Sequence, residues 1–169
     1  MLARIELKFQ YTQSEYVRAE RQYLIAAKIL HKYDPVLAVL CLLIAMIYML
    51  ASAFSTLSVI LFGIVILVVI MGCCLYFLMP ILKYKNTSKF HEAYTLIFSE
   101  DAIYFKTDSI DSELQWNVYS QLWHNDNFYY LIQGVRMYTL IPKRVFKDSD
   151  EQEAFEELVQ SKLKLIKRI

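Results

Sequence analysis

The sequence predicts an α+β membrane protein: two transmembrane helices in a tight hairpin, then a soluble antiparallel β domain closed by a C-terminal helix. Three observations carry this. Charge is absent from the 48 residues between Asp34 and Lys83 (35 to 82), although Asp, Glu, Lys and Arg make up 21% of the 169-residue chain. Short stretches of alternating polarity follow the gap, separated by turn residues. A final segment carries acidic residues first and basic residues last, the order that complements a helix dipole.

A helix needs about 20 apolar residues to cross a bilayer core of about 30 Å. The uncharged gap, taken as one helix at about 1.5 Å per residue, would be roughly 70 Å long. One span is too few and two fit, at about 36–54 and 57–79, inside a hairpin over 35–82. The only polar cluster in the gap, Ser52, Ser55, Thr56 and Ser58, lies at the turn between them. Asp34-Pro35 opens the first span, with Pro where a missing N–H costs nothing. Pro80 is expected to close the second.

Arg18, Arg21, Lys28 and Lys32 precede the hairpin, Lys83, Lys85 and Lys89 follow it, and the turn carries no charge. Positive residues flanking spans stay on the cytoplasmic side, so both termini are expected in the cytoplasm of a multi-pass cell-membrane protein. The long, charged and amphipathic first 34 residues do not match a secretory signal.

Residues 1–34 read as a strand followed by an amphipathic helix. Ile5, Leu7, Phe9 and Tyr11 alternate with Arg4, Glu6, Lys8 and Gln10, the period of a half-buried strand. Such a strand needs a partner, expected in the sheet built after the hairpin. Thr12-Gln-Ser-Glu15 has the form of a capping box and starts a helix expected over about 13–33, with Tyr16, Tyr23, Ala26, Ala27 and Leu30 on one side.

Within 83–169, strands are expected near Ala93–Ser99, Ala102–Thr107, Glu113–Tyr119, Phe128–Gln133 and Arg136–Ile141. In the third, Leu114, Trp116 and Val118 share a face. Glu100-Asp101, Asp108-Ser109, Asn125-Asp126-Asn127 and Gly134 supply turns, and Gln133-Gly134-Val135 joins the last two strands as a hairpin. Pro142, unable to donate to a ladder, ends the last strand. Asp148 or Ser149 caps the closing helix, whose stripe is Phe155, Leu158, Val159, Leu163 and Ile166. Strands closed by one helix describe a small curved sheet or open barrel.

Several function classes find no support. The net charge is +1, so no global field points to nucleic acid. Cys41, Cys73 and Cys74 all lie in the apolar gap and behave as small hydrophobes. His31, His91 and His124 lack metal-ligand spacing, so neither a metal nor another cofactor is expected. No nucleophile elbow, phosphate loop or zinc motif occurs, and enzyme activity is not expected. The absence of ionisable residues inside the spans argues against a transporter. Trp116 is expected in the core; the sequence does not place Trp123, for which the lipid interface is one candidate. Lys143, Arg144 and Lys147, between the last strand and the closing helix, are the candidates for contact with an anionic partner.

The order of Phe98-Ser-Glu-Asp-Ala-Ile-Tyr, Glu113-Leu-Gln-Trp116, Phe128-Tyr-Tyr-Leu131 and Ile141-Pro-Lys-Arg-Val-Phe146, after a capped opening segment and a two-span hairpin, resembles the YcxB-like family of bacterial membrane proteins. The resemblance implies a helical hairpin joined to a domain similar to bacterial pleckstrin-homology (PH) folds. It implies architecture rather than chemistry. The expected function is a membrane-anchored binding or scaffold module whose cytoplasmic domain recognises a protein or an anionic lipid headgroup. The alternative is an accessory subunit of a larger membrane transporter or enzyme complex.

Overall fold

The alternating segment near the N-terminus forms β1 (Ile5–Phe9), with Ile5, Leu7 and Phe9 buried and Glu6 and Lys8 exposed. It appears in a computed structural model that describes residues 4–134 and 137–169. The chain divides into two compact units: Gln13–Asn86, and Thr87–Ile169 together with the chain up to Thr12. The first is helical and the second is built of strands closed by a helix.

In the helical unit, α1 (Gln13–Ala26) is followed by α2 (Asp34–Ala51) and α3 (Thr56–Cys73). The expected helix over about 13–33 is thus shortened. Its backbone turns left-handed at Lys28 (φ 57°), which stops an α-helix after Ala26. Tyr16 and Tyr23 are buried as expected, together with Val17, Ala19 and Glu20. At the other turn, Ala53 and Phe54 adopt positive φ, and Ser55 caps α3 by accepting from the Ser58 amide.

The second apolar helix does not end at Pro80. A π-helical turn, Cys74–Leu78, carries it into α4 (Met79–Asn86), for 31 residues in all from Thr56 to Asn86. Pro80 lacks an N–H for the carbonyl four residues earlier, that of Tyr76. The wide π turn absorbs the ring, and Arg21 Nε of α1 donates to the Tyr76 carbonyl at 3.1 Å. The Arg21 guanidinium also lies 5.0 Å from the Tyr76 ring centroid and 5.2 Å from that of Phe77. Nearby, Lys83 Nζ meets Glu20 Oε1 at 2.9 Å, and the rings of Tyr16 and Tyr84 are 5.7 Å apart. α1 and α4 therefore run antiparallel and in contact.

Both long helices are apolar enough to cross a membrane. They are not core helices of the described fold. α2 has no buried residue, and Ser58 is the only one in α3.

The strand unit holds two sheets. The first has the order β1-β2-β3-β4, with β2 (Tyr94–Phe98), β3 (Ala102–Lys106) and β4 (Asp111–Gln115) all antiparallel. The expected partnership of the opening strand holds, with Phe9 opposite Tyr94 and Ile5 opposite Phe98. The second sheet has the order β7-β6-β5-β8, with β5 (Gln121–His124), β6 (Phe128–Gly134), β7 (Met137–Pro142) and β8 (Ile166–Arg168). Its pairs are antiparallel except β5 with β8. α5 (Ser149–Lys162) closes the unit. Phe155 sits at its centre, fully buried, with ring centroids of Phe98, Tyr129 and Phe146 at 5.0, 5.2 and 5.3 Å.

The extents of one strand and of the closing helix are corrected here, and two strands are added. The strand expected over Glu113–Tyr119 ends at Gln115, and Trp116–Val118 form a 3-10 turn. The turn carries Trp116 inward, where its Nε1 donates to the Ser99 carbonyl at 2.9 Å, and leaves Val118 exposed. Trp116 is thus a core residue, though not a strand residue. β5 and β8 were not expected. The closing helix stops at Lys162, so Leu163 caps it and Ile166 belongs to β8 rather than to the helical stripe. Lys164, Lys167 and Arg168 accordingly lie beyond its last turn. Asp148 is its N-cap and accepts from the Glu151 amide at 2.8 Å. In the expected hairpin Gln133-Gly134-Val135, Gly134 has φ 158°; Val135 and Arg136 lie outside the described residues.

Candidate functional site

β7 ends at Pro142, as its missing N–H requires, and the chain turns through a 3-10 segment, Lys143–Val145, before Asp148 caps α5. This connection carries the three candidate cations. The Lys143 amide donates to the Asn127 carbonyl at 2.8 Å, which holds the segment to the start of β6. Its side chain crosses the Tyr129 ring, with Nζ 4.5 Å from the centroid. Arg144 Nη2 reaches back 134 positions to the carbonyl of Gln10, just past β1, at 2.9 Å. Lys147 pairs with Glu151, Nζ to Oε1 at 3.7 Å, and its amide donates to the other carboxylate oxygen at 2.8 Å. The structure thus gives each of the three a contact inside the strand unit. Lys147 and Arg144 are exposed and Lys143 is half-buried, with 80% of the Lys147 side chain open to solvent.

Beneath Lys143 lies a group that charge counting alone does not reveal. The buried Tyr129 hydroxyl donates to the Glu156 carboxylate of α5. Burial raises the Tyr129 phenol above its ordinary range, and the Glu156 carboxylate raises it further. The ring of His124 lies 6.2 Å from that of Tyr129. Burial lowers the His124 pKa, the Lys143 and Arg168 cations act in the same direction, and Glu156 and Asp126 oppose them. A strand pair (β5, β6), a loop cation and a helix carboxylate are therefore packed around one phenol. The signal in the sequence is the aromatic run Phe128-Tyr-Tyr, whose successive residues must turn to opposite faces.

The remaining candidates do not converge. His31 sits beside Asp34, with Nδ1 3.8 Å from Oδ1, and the His91 carbonyl accepts from the Gln10 side chain. Cys41, Cys73 and Cys74 are exposed on the apolar helices. Among the described residues, no group of three or more His, Cys, Asp or Glu side chains could hold a metal ion. Trp123 is half-buried on β5; its Nε1 donates to Gln121 Oε1 at 2.8 Å, and Lys167 Nζ lies 4.6 Å from the ring centroid.

No curated protein and no solved structure matches the chain. A family model described as YcxB-like protein matches residues 98–159. That interval runs from the last residue of β2 into α5, ending three residues before Lys162, and includes Lys143, Arg144, Lys147, Tyr129 and Glu156. Over residues 98–159 the C-terminal part of the chain is thus similar to the YcxB-like family.

Proposed function

We propose that the chain is a multi-pass cell-membrane protein, both termini cytoplasmic, that uses its strand unit as an anchored binding or scaffold module. The observation that carries this reading is the exposed apolar surface of α2 and α3. α2 contains nine Leu, Ile and Val residues and buries none. At roughly −0.3 to −0.6 kcal/mol each at a span centre, these favour insertion by roughly 3–5 kcal/mol. Its 18 residues give about 27 Å of helix at about 1.5 Å each, close to the hydrocarbon thickness. In water the same surface would far exceed the apolar patches that soluble monomers tolerate.

The strand unit is proposed to be PH-like. Four antiparallel strands in one sheet, three in the other and a closing C-terminal helix support that reading. With chemistry-bearing groups dispersed, recognition rather than catalysis is the proposed task. A protein or an anionic lipid headgroup is the proposed partner, met through Lys143, Arg144 and Lys147. The test has two parts. The chain should resist carbonate extraction, and a cysteine placed at Ser149 (native cysteines replaced by Ala) should escape an impermeant thiol reagent applied to intact cells. Outside labelling would overturn the orientation, and extraction by carbonate would overturn the anchor. Stable co-purification with one large membrane complex would instead make the chain an accessory subunit.

A further inference from the structure

The apolar helix Thr56–Asn86 would be about 46 Å long at about 1.5 Å per residue. It outruns a hydrocarbon core of about 30 Å, and its first 20 residues end near the π turn at Cys74–Leu78. If the anchor reading above holds, and this inference rests on it for the setting alone, the break lies close to the edge of the apolar layer. There a carbonyl without a donor is costly, because little water is available to replace it.

We propose that Arg21 is the hydrogen-bond donor that Pro80 lacks, and that it latches α1 across the break. Pro80 removes the α-helical donor of the Tyr76 carbonyl, and Arg21 Nε takes that place at 3.1 Å. The guanidinium carbon lies 5.0 Å from the Tyr76 ring centroid and 5.2 Å from that of Phe77, contacts that a guanidinium makes more readily than an ammonium. The preceding residue, Glu20, buried at 8% exposure, pairs at 2.9 Å with Lys83, about one turn beyond Pro80. A carboxylate this deeply placed is stable only with its partner, so the pair sets the register of α1 on α4. The latch joins α1 to the long apolar helix at the carbonyl that Pro80 leaves without its helical donor. Its two states are α1 docked, with the Tyr76 carbonyl satisfied, and α1 free.

The full chain in nanodiscs, with Cys41, Cys73 and Cys74 changed to Ala, would carry spin labels at Gln13→Cys and Asn86→Cys. Losing a hydrogen bond from a charged donor should lower the docked-to-free ratio by about tenfold or more. R21Q should therefore broaden and lengthen the label distance distribution. R21K, which keeps the charge, should do so too and serves as the second variant should R21Q fold poorly. Introducing P80A restores an N–H at position 80 and should suppress most of the effect of either change. An unchanged distribution in R21Q or R21K, or an equally large Arg21 effect on the P80A background, would overturn the latch. Repeating the measurement in detergent micelles separates it from the anchor reading, which the extraction assay tests alone.

Discussion

Removing β1 should unfold the strand unit although the whole YcxB-like interval remains. Ile5, Leu7 and Phe9 are buried to 3, 1 and 7% exposure. Burying such side chains contributes roughly 1.5–3 kcal/mol each, so the three supply roughly 5–9 kcal/mol. A realistic unfolded chain already buries some apolar surface, which trims that figure by roughly 10–40%. What remains is still comparable with the whole stability of a typical domain, about 5–15 kcal/mol. Further losses accompany it. The Phe9 ring stacks on Tyr94, the buried Tyr11 hydroxyl donates to the Leu140 carbonyl of β7, and the Gln10 carbonyl accepts from Arg144. The segment therefore ties the first sheet to the second as well as completing the first. A fragment of residues 85–169 should aggregate or fail to show a cooperative melt, because β2 becomes an open edge. Residues 4–12 fused ahead of it through a flexible linker should restore a monomer by light scattering and a cooperative thermal transition. A short fragment that is already monomeric, with the same melting temperature as the fusion, would refute this reasoning.

Other changes probe the strand unit from different sides. Phe155→Ala removes the ring shared by Phe98, Tyr129 and Phe146 and should cost about 3–5 kcal/mol in denaturant unfolding. Replacing Lys143, Arg144 and Lys147 together by Gln should weaken sedimentation with anionic vesicles. Its stability cost should stay near 1 kcal/mol per exposed contact or below, so undiminished vesicle binding would remove the loop from the proposed interface. His124 has a folded pKa below its unfolded value of about 6.5. Its contribution to stability is therefore full above that value and is lost as the pH falls through it toward the folded pKa. His124→Gln should flatten that part of the melting-temperature profile, and NMR titration of the ring should show the lowered pKa directly.

What was legible depended on whether a pattern was local. β1 could be read because Ile5, Leu7 and Phe9 alternate with charge and their partner strand demands that alternation. The two long helices could be read because 48 residues (35 to 82) carry no charge. β4 was misjudged because Leu114, Trp116 and Val118 keep the period of a strand, while the Trp116 indole is drawn inward by the Ser99 carbonyl. Leu163 and Ile166 extend a plausible helical stripe. Yet Leu163 is a buried cap, and Ile166 pairs with Leu122 in a parallel register that no local rule signals. Pro80 looked like a terminus because a proline usually breaks a helix. The compensation comes from Arg21, 55 positions away. The connection that carries the loop cations is legible from Pro142 and Asp148, which bound it. Their partners were not visible, since Gln10 is 134 positions from Arg144 and Tyr129 is on another strand.

The same long-range contacts explain how a helical unit can sit inside the strand unit's sequence. β1 and β2 are antiparallel neighbours, with Phe9 opposite Tyr94, so the chain leaves and re-enters the sheet at one end. An ordinary hairpin would close there with a few residues; here 84 intervene (10 to 93). A floppy insertion of that length would cost roughly 2–3 kcal/mol more than a short turn, at about 0.6 kcal/mol per doubling. The insertion is not floppy. Tyr16 meets Tyr84, and Glu20 meets Lys83, so the helical unit brings its own two ends together before the sheet has to. Residues 10–12 and 87–93, with the 3-10 turn Ser88–His91 among them, are then all the chain that β1–β2 pairing must close. Docking α1 on α4 thus lowers the entropic cost of completing the first sheet. It also orders the events: β1 has no partner until α4 has been made and β2 follows it. A change that loosens α1, such as loss of Arg21, should therefore slow β1–β2 pairing even though no residue of either strand is altered.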